Sequence, residues 1–111
     1  MAGAEGLKPL PAAGDLAEPV DARRNWLKSE RRAASLSLEA YERDLFAFLA
    51  FLAEYQGAPP SLQSLRDLGR GDLRAWLAAR GGRGLKATST ARALSVIRGF
   101  FRFLAREGIL E

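Results

Sequence analysis

A hydrophobic period of 3.6 residues runs through "SLSLEAYERDLFAFLAFLAEYQG", residues 35–57, and it limits the fold more than anything else in the chain. Leu38, Tyr41, Leu45, Phe48, Leu49, Leu52 and Tyr55 recur at helical spacing and form one stripe. Ser35 or Ser37 can cap its start, and Gly57, Pro59 and Pro60 stop it, which predicts a helix over 36–56. No stretch alternates with period two over a useful length, so no strand is expected. An amphipathic rod of this kind must bury its stripe against other helices, and the rest of the chain supplies them.

"VDARRNWLKSERRA" predicts a first helix over 20–33, entered through Pro19 and anchored by Trp26 and Leu27. After the long second helix, "SLQSLRDLGRGDLRAWLAARGG" predicts a short turn around 61–68 and a third helix near 71–80. Leu65, Leu68, Leu73, Trp76 and Leu77 are its core contacts. "GGRG" at 81–84 reads as a flexible connector, and a fourth helix spans 87–107, ending before Gly108. Residues 1–18, rich in Ala, Gly and Pro and without periodicity, read as a disordered tail. The expected architecture is all-α: a small bundle of four main helices over residues 19–111, with neighbours packed antiparallel through short connections.

Composition removes whole classes of chemistry. The 111 residues contain no cysteine and no histidine. Disulfide scaffolds, zinc fingers and Cys- or His-based catalysis are therefore excluded, and no cofactor or metal is called for. Paired carboxylates occur only as surface Glu and Asp on the second helix, with nothing to perturb them, so an enzyme is the weakest reading. No apolar run reaches the roughly 18 residues a membrane span needs. The start lacks a secretory signal, and a cytoplasmic protein is expected.

Charge is distributed unevenly. Residues 66–106 carry ten cations against only Asp67 and Asp72, a local charge of +8, whereas residues 1–18 sum to −2 and 33–65 to −3. A basic half of this kind attracts phosphate, although solvated surface arginines give the same count. The fourth helix sharpens the point. In "ATSTARALSVIRGFFRFLAREG", residues 87–108, Leu94, Ile97, Phe101 and Leu104 form the predicted buried stripe, with Phe100 and Phe103 along one edge. Arg92, Ser95, Gly99, Arg102 and Arg106 cluster opposite, Arg98 lies between, and no acid appears before Glu107. Cations without acidic partners along nearly five turns repel one another, and a polyanion relieves that repulsion. Lys86, Thr88, Ser89 and Thr90 surround the unpaired N–H groups at the start of this helix, a ready phosphate seat. N-capping by Thr88 explains the same hydroxyls without a ligand.

"AASLSLEAYERDLFAFLAFL" followed by "LKATSTARALSVIRGFFRFLAREGIL" resembles the N-terminal core-binding, SAM-like domain of the tyrosine recombinases, the Xer-type and phage-integrase family. Ser37, Leu38, Tyr41, Asp44 and Leu45 stand where that family tends to have Thr-Leu, a Tyr and Asp-Leu. Leu85, Arg92, Leu94, Ser95, Arg98, Phe100, Phe101, Phe103, Leu104, Glu107 and Gly108 follow its fourth-helix pattern. Ala33, Ala34 and Ser35 replace a frequent Leu-Ser-Pro, and Lys86 with Ala87 replaces a frequent Ser-Pro. The likeness covers about residues 20–111.

The resemblance implies a DNA-binding domain that grips one face of the duplex while a C-terminal catalytic domain grips the other. Helices two and four run against the major groove and backbone, as part of DNA recombination or integration. Catalysis, through a Tyr nucleophile with Arg and His partners, belongs to the C-terminal domain, which is expected to be absent from this histidine-free chain; the chain itself is then not an enzyme. Expected partners are double-stranded DNA, that catalytic domain and other recombinase subunits on DNA.

The expected DNA contacts are Ser37, Arg43, Lys86, Thr88, Ser89, Arg92, Arg98 and Arg102. Arg92 is the leading groove contact, expected to be removable without harm to folding. Arg43 is weaker because Glu39 and Asp44 could pair with it, and Arg98 either touches DNA or braces the fold. Tyr41 reads as core with its hydroxyl at the surface, and Phe46 and Phe51 as the core edge. The rival reading is a helical protein–protein interaction module whose arginine face meets an acidic partner.

Overall fold

The computed structural model describes residues 14–29 and 35–110, without the side chains of residues 29 and 35–37. It is all-α, and no strand occurs among the described residues. The helices are α1 (Gly14–Ser29), α2 (Ser35–Gln56), α3 (Leu62–Arg66), α4 (Arg70–Gly82) and α5 (Ala87–Arg106). The turn expected around 61–68 is the single-turn helix α3, so four long helices carry the bundle. α2 and α5 form its central pair, and α1 packs on both.

The helix ends follow from local chemistry. Ser61 Oγ accepts from the Ser64 amide at 3.2 Å while Ser64 Oγ accepts from the Ser61 amide at 2.7 Å, closing the start of α3 reciprocally. Asp72 does half of the same job for α4, taking the Gly69 amide at 2.8 Å. Beyond α2 and α5 the chain adopts positive φ at Gly57 (79°) and Gly108 (72°), where a side chain would be strained. The turn after Gly108 brings Leu110 back onto the core at 5 % exposure. The 81–84 segment is ordered rather than loose: α4 continues through Gly82, and the Leu85 amide bonds the Arg80 carbonyl at 3.1 Å.

The first helix starts six residues earlier than its periodicity suggested. Pro19 sits inside α1, where it removes one intrahelical donor. Burial compensates, because Leu16 and Val20 are 0 % and 1 % exposed. Those two residues, not Trp26 and Leu27, anchor α1; the latter are only half-buried. Arg24 pairs with Glu42 and ties α1 to α2.

α5 is rotated from its expected orientation. Its buried residues are Ala93, Ile97, Gly99, Phe100, Phe103 and Leu104. Leu94 and Phe101, expected at the centre of the stripe, are half-buried, whereas Phe100 and Phe103, expected at its edge, are 1 % and 4 % exposed. α1 covers the Phe103 flank: the Arg23 guanidinium lies 5.4 Å from the Phe103 ring and 5.0 Å from that of Trp26. Gly99, expected on the polar face, is buried there as well. A β-carbon at Gly99 would stand 3.4 Å from Arg23 Nη2, an ordinary contact with a movable group. Gly99→Ala is therefore expected to be accommodated and, by restricting the unfolded chain, to stabilise the domain by about 0.5–1 kcal/mol in a urea melt.

On α4 the core receives Trp76, whose ring meets Phe48 edge to face at 5.4 Å, and the aliphatic part of Arg80. Leu73 and Leu77, expected inside, are 37 % and 41 % exposed. Arg80 takes the inward position one turn beyond Trp76, which rotates the two leucines outward.

Candidate nucleic-acid interface

Lys86 holds the N-cap position of α5 in an extended conformation, and no side chain caps the helix. The first bond of the α5 ladder runs from the Thr90 amide to the Lys86 carbonyl at 3.0 Å. The amides of Ala87, Thr88 and Ser89 thus lie ahead of the ladder and carry the positive end of the helix dipole. Thr88 lies in the first turn and is exposed, as is Lys86, while Ser89 is half-buried. The alternative, N-capping by Thr88, does not occur: Lys86 holds the N-cap position, two residues before it.

Arg80, which sequence reasoning left unassigned, fixes this end. Its Nε donates to Thr90 Oγ1 at 2.9 Å, and its guanidinium lies 5.4 Å from the Trp76 ring. At 9 % exposure it couples the last turn of α4 to the first turn of α5. An arginine four residues after a buried Trp was the available signal.

Arg92 lies one turn further along and is not a free surface cation. Its Nε donates to Asp44 Oδ2 at 2.8 Å and its Nη2 to Oδ1 at 3.2 Å, a two-pronged pair that joins α5 to α2. The Asp44 side chain is 6 % exposed and that of Arg92 47 %. The carboxylate raises the guanidinium pKa above its ordinary value. Asp44 follows Tyr41 by three residues and precedes Phe48 by four, so it lies on the apolar stripe; an acid there needs a cationic partner. Removing Arg92 would strand that carboxylate, so the expectation of an unaffected fold is corrected.

The other expected contacts divide. Arg43 is exposed on α2, and Asp44, once a candidate partner for it, is taken by Arg92. Arg98 and Arg102 are exposed on α5 and make no ion pair among the described residues. Among the described residues no carboxylate pairs with Arg98. The side chain of Ser37 lies outside the described residues, and with it the capping or duplex contact expected there. Lys86, Thr88 and Ser89 sit together at the start of α5, with Arg92 one turn further along; Arg43 lies on α2, next in sequence to the Asp44 that pairs with Arg92, and Arg102 is about 21 Å from Thr88 along the helix. No acid interrupts α5.

Tyr41 departs from expectation. Its hydroxyl is buried and has no hydrogen-bond partner among the described residues. Burial pushes its pKa up to about 12, and the nearby Arg23 offsets part of the rise. In the unfolded chain the phenol ionises near 10, so its contribution to stability is complete below pH 10 and disappears as pH climbs to about 12. Tyr41→Phe is expected to leave stability at pH 7 nearly unchanged. At pH 12 it should stabilise the domain relative to the parent by about 2 kcal/mol, read from paired urea melts. Phe46 and Phe51 pack against the core edge as expected.

Residues 24–108 match the phage integrase N-terminal SAM-like domain. The chain belongs to that family. The SAM-like domain is 45% identical over 97 residues to the tyrosine recombinase XerC of Rhodospirillum centenum, covering 87% of this chain and 28% of that protein. Over 105 residues it is 41% identical to the XerC of Mesorhizobium japonicum, covering 92% and 33% of the two. It is 46% identical over 99 residues to that of Methylobacterium nodulans, covering 89% and 30%. The SAM-like domain therefore spans about a third or less of the length of these relatives. No solved structure gives a significant match. Among its described residues no helix is long and apolar enough to cross a membrane, and no cluster of acids could hold a metal ion.

Proposed function

We propose that this chain grips duplex DNA as the non-catalytic N-terminal domain of a tyrosine recombinase, forming half of a clamp during recombination or integration. The observation that carries the reading is the uncapped start of α5. Three ladder-free amides, the Thr88 hydroxyl and the Lys86 ammonium converge there at the head of a helix with no acid along its length. Family membership and the tyrosine recombinases among the relatives support it.

Arg43, on the neighbouring helix α2, adds a second strand of phosphate contact. Arg92 contributes through its half-exposed guanidinium while holding α2 and α5 in register. Strand exchange and its chemistry reside in a C-terminal catalytic domain, which with DNA and further recombinase subunits makes up the partners. The site of action is the cytoplasm.

Fluorescence anisotropy with a labelled 20-base-pair duplex tests the proposal. With about four phosphates engaged, affinity should fall roughly 100-fold between 50 and 200 mM salt. Lys86→Glu should weaken binding about tenfold or more on every duplex and flatten the salt dependence. Salt-independent binding, or a Lys86→Glu protein with unchanged affinity, would remove the α5 start from the interface.

A further inference from the structure

We infer that the trough between α3, α4 and the outer flank of α5 docks an amphipathic helix of a partner protein, one that carries acidic side chains beside its apolar stripe. The inference does not depend on the DNA reading, which rests on the start of α5, ahead of the residues that line the trough. Because α5 turns Phe100 and Phe103 inward, its Leu94 and Phe101 flank is left half-covered. Together with Ile97 that flank forms one wall of a cavity of about 370 Å³, and Leu65, Leu68 and Leu73 form the other. Arg98 and Arg102 complete the lining, and no carboxylate takes part in it.

Two further features point to a protein helix. Leu73 and Leu77, one turn apart on α4, are 37 % and 41 % exposed, an apolar strip that extends beyond the trough. Arg98 and Arg102 are also one turn apart, exposed and without ion pairs among the described residues. Their separation, about 6 Å, matches that of carboxylates placed three or four residues apart on a helix. A helix laid in the trough would bury leucines against leucines and set its acids on the two guanidinium groups, the usual helix-in-groove mode. A sugar–phosphate backbone would satisfy the arginines and gain nothing from six apolar side chains. Arg98 also lies about 15 Å along α5 from Thr88, well removed from the uncapped helix start.

The test uses the full 111-residue chain, labelled with ¹⁵N. It is titrated with an 18-residue synthetic helix bearing Leu at i, i+3, i+4 and i+7 and Glu alongside, and with the same peptide carrying Lys for Glu. The acidic peptide should move the amides of Leu65, Leu73 and Leu94–Arg102 and bind at least tenfold more tightly than the basic one. In the R98E/R102E double variant, whose exposed substitutions should leave the dispersed spectrum intact, that preference should reverse. Unmoved trough amides, equal binding of the two peptides, or a double variant with unaltered preference would each overturn the inference. So would a 20-base-pair duplex that shifts the Arg98 and Arg102 amides more than those of Lys86–Ser89. A duplex that moves only the latter group supports it and leaves both readings standing.

Discussion

Phe100→Ala should destabilise the domain by about 3–5 kcal/mol, while Phe101→Ala, its neighbour in sequence, should cost only about 1–2 kcal/mol. The Phe100 ring is 1 % exposed and sits on the face of α5 that meets α1 and α2. Deleting it removes a whole buried ring and leaves a cavity that rigid helices cannot close. The Phe101 ring lines the half-open trough, where water and neighbouring side chains can follow it in. Domains of this size are stable by only about 5–15 kcal/mol, so the first substitution consumes a large part of the total. In thermal melts the midpoint should fall by about 20 °C for Phe100→Ala and by less than about 10 °C for Phe101→Ala. Equal losses, or a larger loss at Phe101, would mean that α5 presents the other flank to the core.

That pair also marks where the sequence was legible. Over the middle of α2 the period needed no tertiary information: Leu45, Phe48, Leu49 and Leu52 all occupy the core, whereas Tyr55, also read onto the stripe, is 48 % exposed near the helix end. α5 carries apolar residues over more than half its circumference, and two rotations satisfy its pattern equally well. On the buried flank α1 lays Arg23 over the Phe103 ring; of its most buried residues, Val20 opens the helix the sequence predicts, but Leu16 lies in the Ala-, Gly- and Pro-rich stretch that reads as a tail. Leu73 and Leu77 misled for a related reason: helical spacing identifies a face, but only the position of Trp76 and Arg80 decides how far that face turns inward.

The proposed interface was legible in kind. A helix start with a lysine and three hydroxyls, and no acid near it, can be read from "LKATST"; that Thr88 leaves it uncapped can be seen only in the folded chain. The ties that position it, Arg80 to Thr90 and Arg92 to Asp44, span 10 and 48 residues and need the folded chain to be seen.

The Asp44–Arg92 tie leads to the second large effect. Arg92→Ala should lower the thermal midpoint by about 10 °C or more at pH 7, and by clearly more than Asp44→Ala. The asymmetry follows from burial. Without Arg92 the carboxylate is left uncompensated at 6 % exposure, whereas without Asp44 the guanidinium, already 47 % exposed, can turn to water. Arg92→Lys should recover only part of the loss, because an ammonium cannot fill both carboxylate positions at once. A melt in which Arg92→Ala is as stable as the parent would show that the pair does not hold α2 to α5. For DNA-binding assays the consequence is practical: a weakened Arg92→Ala protein reports on folding as much as on contact, and Lys86→Glu is the cleaner probe.

The stretch that matches the SAM-like domain, residues 24–108, leaves out the first ten residues of α1. Leu16 and Val20 lie in that part of α1 and belong to the hydrophobic core, at 0 % and 1 % exposure. A fragment trimmed to residues 24–108 would lose both of these core side chains and the Arg23 guanidinium that lies over the Phe103 ring. The hydrophobic interior, rather than the edge of that match, sets where this domain can be cut.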